Sequence, residues 1–273
     1  MSDCNGNCSS CSSKGSCDSA IKKLEQNQKS KIGKVIGVVS GKGGVGKSLT
    51  TSALAVEFAK KGYKVGIIDG DILGASIPNI FGLENGVGSD GVMMSPAITK
   101  NGIKVMSINL LLEKPDMPVV WRGAILSNVL KQFWQDVDWG EVDYMFVDMP
   151  PGTGDVPLTA FQSFPLDGIV IVTSPQDLVS MIVKKAVNMA NMMNVNILGI
   201  VENMSYIDCK CGERIYPFGE GKAEAVANEL NVDLLGKSPI IPTIAKACDS
   251  GAIEDIEIDS YKQIASKLIE KLK

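Results

Sequence analysis

Eight consecutive residues, Gly41-Lys-Gly-Gly-Val-Gly-Lys-Ser48, have the types and spacing needed to hold a polyphosphate. The pattern is GxxxxGK[ST], in which glycines let backbone N–H groups close around a β-phosphate without side-chain clashes. Lys47 is placed to neutralise the β- and γ-phosphates, and the Ser48 hydroxyl to ligate Mg²⁺. The whole run Gly41, Lys42, Gly43, Gly44, Val45, Gly46, Lys47 and Ser48 is therefore the candidate nucleotide cradle. Lys42 is a second lysine that an ordinary phosphate loop does not require.

Two acidic stations lie downstream, as phosphoryl transfer to water demands. Asp69-Gly-Asp71 opens the segment ILGASIP, and Asp148 opens MPPGTGD. Aspartates at strand ends beside a phosphate loop can order Mg²⁺ and its waters. Asp148 also suits a helix cap or turn, and Asp69 either shares the metal shell or braces the loop.

The third chemical feature is the thiols. Cys4, Cys8, Cys11 and Cys17 lie within fourteen residues among Ser, Gly and Asn. Four converging thiolates bind Zn²⁺ or an Fe–S cluster, and spacing alone does not separate the two. Cys209 and Cys211 form a second, closer pair, which offers two ligands, so a closed four-thiolate site there needs a second chain. A two-fold dimer brings the same pair twice to its axis. Cys248, alone in an apolar helical stretch, reads as a core residue.

These groups need rigid elements beneath them. Apolar runs at Val35–Ser40, Lys64–Asp69, Lys104–Ile108, Tyr144–Asp148, Ile169–Thr173 and Ile197–Val201 read as strands, with a further one at Asp233–Gly236. Helical periods cover Lys47–Lys61, Ala124–Trp134, Ser180–Met193, Gly221–Leu230 and Ser260–Lys273. The alternation predicts an α/β fold: a doubly wound, mostly parallel sheet with helices on both faces, preceded by a Cys-rich tail. The expected division is a tail and linker over 1–34, with 21–34 a short helix or linker, and an ATPase domain over 35–273.

Composition narrows the function. The 273 residues carry 27 Lys and Arg against 31 Asp and Glu, a net charge of −4, with a pI of about 5.1. That balance argues against a nucleic-acid partner, which normally needs a basic footprint. No apolar run reaches the length of a transmembrane helix, roughly 18 residues, and the first twenty residues lack an apolar signal core. A cytoplasmic, reducing setting is expected, where cysteines serve as metal ligands or reactive thiols. Histidine is absent, which removes His-based catalysis and every His-containing metal site.

GKGGVGKS resembles the deviant phosphate loop of the MinD, ParA and nitrogenase-iron-protein class. The stretches DGDILGASIP, VVWRGAILSNVLKQFWQDVDWGEVDYMFVDMPPGTGD and VENMSYIDCKCGERIYPFGEG resemble, in order, the Mrp/Nbp-type ATPases, the iron–sulfur carriers of that class. The likeness runs from about Val35 to about Ile244. It implies that Lys42 reaches across a nucleotide-sandwiched homodimer, that Asp71 positions the attacking water, and that Asp148 is the Walker B carboxylate. Asn203 falls where the class has an asparagine at the adenine edge, although a cap or turn reading stands beside it. The resemblance gives a 4Fe-4S cluster to the Cys4–Cys17 quartet, and a labile bridging 4Fe-4S cluster to Cys209 and Cys211. There the family has CPxC, and this chain departs by one residue, with CxC.

The expected function is an ATP-hydrolysing homodimer, using ATP and Mg²⁺, that carries 4Fe-4S clusters to apo iron–sulfur proteins. Three other readings compete: a spatial regulator of the MinD/ParA kind, a nitrogenase-iron-protein-like reductase, and an ATPase scaffold with structural zinc. The regulator would use SYKQIASKLIEKLK as a membrane-surface helix, in which Tyr261, Ile264, Leu268 and Leu272 share one face. The same face suits a terminal helix packed on its own domain, and that is the favoured reading because most amphipathic helices turn their apolar face to the core.

Overall fold

A computed structural model describes residues 23–72, 74–84, 87–112, 123–152, 155–176 and 179–273. The Cys4, Cys8, Cys11 and Cys17 quartet, and Trp121-Arg122 of the WRG motif, lie outside them.

The chain opens with strand β1 (Lys31–Ser40) and helix α1 (Lys47–Lys60), then β2 (Val65–Asp69) and the short α2 (Ile77–Phe81). Four short strands come after it, β3 (Gly88–Ser89), β4 (Met94–Ser95), β5 (Ala97–Ile98) and β6 (Lys104–Met106). Next come α3 (Gly123–Gln135), β7 (Glu141–Asp148), α4 (Asp155–Ser163), β8 (Gly168–Thr173) and α5 (Val179–Met192). The remainder is β9 (Ile197–Glu202), a hairpin of β10 (Ile207–Asp208) and β11 (Arg214–Ile215), α6 (Ala223–Glu229), β12 (Leu234–Lys237), α7 (Pro242–Asp249) and α8 (Asp259–Leu272).

Among the described residues, eight strands form one sheet in the order β12-β9-β8-β1-β7-β2-β6-β5. All neighbours are parallel except β5 and β6. This is a P-loop NTPase fold. The central strands are buried on both faces, as in Gly168-Ile-Val-Ile-Val-Thr173, because helices cover both sides. On one side Trp134, Phe133, Phe161 and Phe164 from α3 and its neighbours close the core; on the other Leu54 and Phe58 of α1 pack with Tyr261 and Leu268 of α8. Phe58 meets Phe146 edge-on at 5.2 Å between ring centres. Helix α1 is buried continuously from Thr50 to Phe58, because it is enclosed by sheet and helices rather than lying on the surface.

Several boundaries differ from the sequence expectation for a common reason. β1 begins at Lys31 and β7 at Glu141, and their early residues pair with one another, Lys31 with Glu141 and Lys34 with Tyr144. In both strands exposed Lys31, Glu141 and Asp143 alternate with buried Ile32 and Val142. An apolar run marks only the covered part of a strand, and the polar alternation at the rim escapes it. The fold thus starts four residues before Val35. Residues 23–30 form no helix, yet they are stitched to the domain: Leu24 N–H donates to the Ser163 carbonyl at 2.8 Å, and Asn27 Nδ2 to that of Val137 at 2.7 Å. The run expected to continue as strand to Ile108 instead bends at Ser107 into a 3₁₀ turn over Ile108–Leu110.

The terminal amphipathic face is settled by packing. Tyr261, Ile264, Leu268 and Leu272 are all buried, so this surface belongs to the core and not to a membrane. No helix among the described residues is long and apolar enough to cross a bilayer.

Candidate functional site

β1 is the strand from which the sheet departs in both directions, with β7 and β2 on one side and β8 and β9 on the other. Loops at the carboxyl ends beside such a switch point diverge and leave a crevice. The phosphate loop, residues 41–46, occupies it and feeds α1, with Gly46 as N-cap. Gly46 must be glycine on two counts: its φ is +79°, and a Cβ there would run into the Asn203 amide nitrogen. Gly41 lies so close to Ile182 of α5 that a side chain would not fit. The sequence pattern therefore builds a backbone cradle, with α1 presenting its positive amino terminus.

Lys47 is buried beneath the loop, where its Nζ donates to Asp148 Oδ2 at 2.8 Å and lies 3.7 Å from Asp71 Oδ2. Ser48 Oγ donates to the same Asp148 oxygen at 2.6 Å, and Thr51 Oγ1 donates to Asp148 Oδ1 at 2.7 Å. Asp148 is fully buried, and its three donors fix both of its oxygens. Lys47, Ser48, Asp71 and Asp148 are thus brought together as a single cluster. The cap or turn reading of Asp148 does not hold, because its carboxylate faces the phosphate loop.

Asp69 pairs in register with Asp148 across β2 and β7 and is also fully buried. Its Oδ2 accepts the Ser107 hydroxyl at 3.0 Å, while Oδ1 has no hydrogen-bond partner among the described residues. Burial, then repulsion from Asp148, pushes its carboxyl up to about 7, with Lys47 opposing. Burial likewise raises Asp71, again against Lys47. Asp69, Asp71 and Asp148 do not stand together as a cation cage of their own, and Mg²⁺ is commonly held by one or two protein oxygens together with substrate phosphates. The Ser48 hydroxyl and the Asp148 carboxylate, which meet at 2.6 Å, are oxygen donors of the kind Mg²⁺ takes. The residues present therefore fit Mg²⁺.

Lys42 stands apart from this cluster. It is half-buried at the rim of the loop, and its amine bonds the side-chain oxygen of Gln176 just past the end of β8. Asn203 is buried below the loop: Nδ2 donates to the Val45 carbonyl at 3.0 Å, and Oδ1 accepts from the Tyr261 hydroxyl at 3.3 Å. It caps no helix.

The thiol pair sits at the tip of the β10–β11 hairpin. Cys209 N–H donates to the Glu213 carbonyl at 2.9 Å, and Gly212 N–H to that of Cys209 at 3.0 Å. This turn holds the two thiols together, Cys209 half-buried and Cys211 exposed. A hydrogen bond from the Cys209 thiol, with one from the Glu213 backbone, holds Cys211 below the usual thiol range. The hairpin is braced by Arg214, which lies 4.1 Å above the Tyr206 ring and 3.0 Å from Asp208. Among the described residues, no three His, Cys, Asp or Glu stand together as a metal cage. Cys248 is half-buried on α7, packed against the core.

Sequence reasoning missed Thr51, Ser107, Gln176 and Tyr261. Thr51 was within reach, since it lies one helical turn after Lys47 and so shares its face. The other three reach the site through long-range packing that no local spacing encodes.

Three comparisons bear on this geometry. The family model described as ParA, NUBPL iron-transfer P-loop NTPase, matches residues 31–273. The chain is 47% identical over 268 residues to an iron-sulfur cluster carrier protein of Clostridium perfringens, covering 92% of this chain and 94% of that one. It is 42% identical over 287 residues to a protein of the same name from Methanocaldococcus jannaschii, covering 100% and 98%. Among solved structures, a nucleotide-binding protein of Archaeoglobus fulgidus in complex with ADP superposes with a TM-score of 0.75 at 46% identity, over 84% of this chain and 90% of that one. The Pyrococcus furiosus cell division ATPase MinD shares the fold, with a TM-score of 0.63 at 22% identity over 88% and 100%.

Proposed function

The chain belongs to the ParA/NUBPL iron-transfer family of P-loop NTPases, and from that premise we propose that it is an ATP-hydrolysing homodimer that carries 4Fe-4S clusters to apo-proteins. One observation carries the reading. Two thiols share a hairpin tip and no third ligand stands beside them among the described residues, while six residues upstream the same segment underpins the phosphate loop. Two such pairs complete a four-thiolate site only across a two-fold axis. Relatives named iron-sulfur cluster carrier proteins at 47% and 42% identity support the assignment.

In this reading the backbone of residues 41–46 takes the β-phosphate, and Lys47 bridges β and γ, leaving the carboxylates it now faces. Ser48 and Asp148 hold Mg²⁺, which supplies charge neutralisation when bound. Asp71, at the mouth of the crevice beside Lys47, orients the attacking water. Lys42, at the rim, reaches the partner's phosphates on closure, and Asn203 serves the adenine side with the amide hydrogen that Val45 leaves free. Cys4, Cys8, Cys11 and Cys17 hold a second cluster in the tail.

Anaerobic reconstitution with iron and sulfide tests this reading, with iron quantitation and visible absorption on wild type and on Cys209→Ser/Cys211→Ser. Wild type is expected to take up one labile cluster per two chains beyond what the double variant holds, and to pass it to an apo-ferredoxin. Zinc bound in place of any cluster, or equal uptake by both proteins, would overturn it.

A further inference from the structure

Two hydroxyls outside the nucleotide cradle tie the phosphate loop to the segment that carries the thiols. Tyr261 of α8 is fully buried. Its hydroxyl donates to Asn203 Oδ1 at 3.3 Å and pairs with Thr50 Oγ1 of α1 at 2.9 Å. Because Tyr261 has one hydroxyl proton and gives it to Asn203, Thr50 acts as the donor in the second bond. Burial pushes the phenol up to about 12, so it stays protonated. Asn203 in turn holds the Val45 carbonyl, inside the loop that closes on phosphate.

Immediately after Asn203 the backbone makes an elbow. Met204 has φ 56°, the left-handed region, which a residue with a flexible side chain enters only when its surroundings hold it there. Both sides of the elbow are pinned. Asn203 N–H donates to Thr173 O at 2.8 Å, and Ser205 N–H to Ser238 O at 2.9 Å, with Ser205 Oγ on Glu202 Oε1 at 2.5 Å. The Tyr206 carbonyl accepts from Ile240 N–H at 2.7 Å, and its ring carries the hairpin's Arg214. Cys209 lies three residues further on.

We infer that Tyr261 is a positioning residue that couples nucleotide at the phosphate loop to the presentation of Cys209 and Cys211, acting through Asn203 and the Met204 elbow. When the loop closes on phosphate, the Val45 carbonyl shifts and Asn203 must follow or lose its bond. Tyr261 fixes the other end of that amide to α1 and α8, so the shift turns the Asn203–Met204 backbone rather than only its side chain. The left-handed residue is the place where such a turn is absorbed, and the hairpin moves with it. A coupling of this kind is a free energy shared between two sites and is reciprocal, so cluster at the thiols equally biases nucleotide affinity.

The inference rests on the carrier reading and is tested separately from it. On the full-length reduced protein, N-ethylmaleimide labelling rates at Cys209 and Cys211 are followed by peptide mass mapping, without nucleotide, with ADP and with Mg-ATP. Fluorescent mant-ADP reports binding, and thermal melts report folding. In wild type, nucleotide is expected to change the labelling rate by about fivefold or more, the lower end of typical site-to-site coupling. Tyr261→Phe and Thr50→Val, both near-isosteric, should bind mant-ADP and yet lose most of that change. Met204→Gly, which removes the hold on the elbow, should lose it too, and it carries the test if the buried variants do not fold. Retention of the wild-type response in the variants, or wild type that binds nucleotide with no change in labelling, would overturn the inference while leaving cluster uptake intact. Failure of wild type to take up any cluster would instead sink the carrier reading.

Discussion

Asp69 and Asp148 end neighbouring parallel strands in register, both fully buried, and the ammonium of Lys47 bonds the second of them. Two carboxylates confined at the ends of adjacent strands repel one another, so the cation is what allows the pair to exist in a dry crevice. Lys47, for which a phosphate-binding role is proposed above, is thus also a structural counter-ion in this geometry.

Lys47→Met should therefore cost stability as well as activity. Removing one partner of a buried ion pair costs on the order of 3–5 kcal/mol, read by urea denaturation without nucleotide. ATP hydrolysis should fall by a factor of roughly 100 or more, as for the loss of a preorganised charge contact. A variant as stable as wild type would show that Lys47 does not balance Asp148.

Asp69 sets a pH dependence whose sign is opposite to that of most carboxylates. Its folded-state value is raised to about 7, so between about 4 and 7 the native chain binds a proton that the unfolded chain has released. Its contribution is fully present below about 4 and is lost as the pH rises through about 7. Denaturation midpoints should fall from pH 5 to pH 8 in wild type and fall less in Asp69→Asn. Parallel curves would place the titrating group elsewhere.

Thr51 and Ser48 hold opposite oxygens of Asp148, and they separate by experiment. Thr51→Val leaves a buried carboxylate oxygen without its hydroxyl and should cost about 1–3 kcal/mol in stability. Ser48→Ala, at a half-buried position, should change the melt little and raise the Mg²⁺ concentration needed for half-maximal hydrolysis. An unchanged Mg²⁺ requirement would remove Ser48 from the metal site.

The loop glycines are not equivalent. Gly46→Ala combines a φ of +79° with a collision at Asn203, and should destabilise by about 1–3 kcal/mol while weakening ATP binding. A Cβ on Gly43 meets nothing within 4 Å, so Gly43→Ala should stay within about 0.5 kcal/mol of wild type by thermal melt. Equal losses from both would mean that φ and packing do not distinguish them.

Local chemistry was legible in the sequence to the extent that it is local. The strand–loop–helix around Gly41–Ser48 comes from spacing, and the central strands come from uninterrupted apolar runs such as Ile169–Thr173. The rims of β1 and β7 were not legible, because exposed and buried residues alternate there. Helix α2 spans only five residues, and the β10–β11 hairpin has two-residue strands, both too short for a period to register. Asp148 left a cap or turn reading open until Lys47, Ser48 and Thr51 were seen to converge on it from about a hundred residues away in the chain. Ser107 on Asp69 and Tyr261 on Asn203 are likewise facts of packing, with no counterpart in neighbouring letters.

The packing of α8 against α1 also has a consequence for how the chain is made. The phosphate motif leaves the ribosome long before the helix that walls in α1, and long before the tyrosine that buttresses the asparagine beneath the loop. Synthesis proceeds from one end, so a nascent chain displays its nucleotide motif well before it owns the wall behind it. A chain interrupted before residue 259 therefore carries every letter of the motif and lacks the helix that closes the core around it.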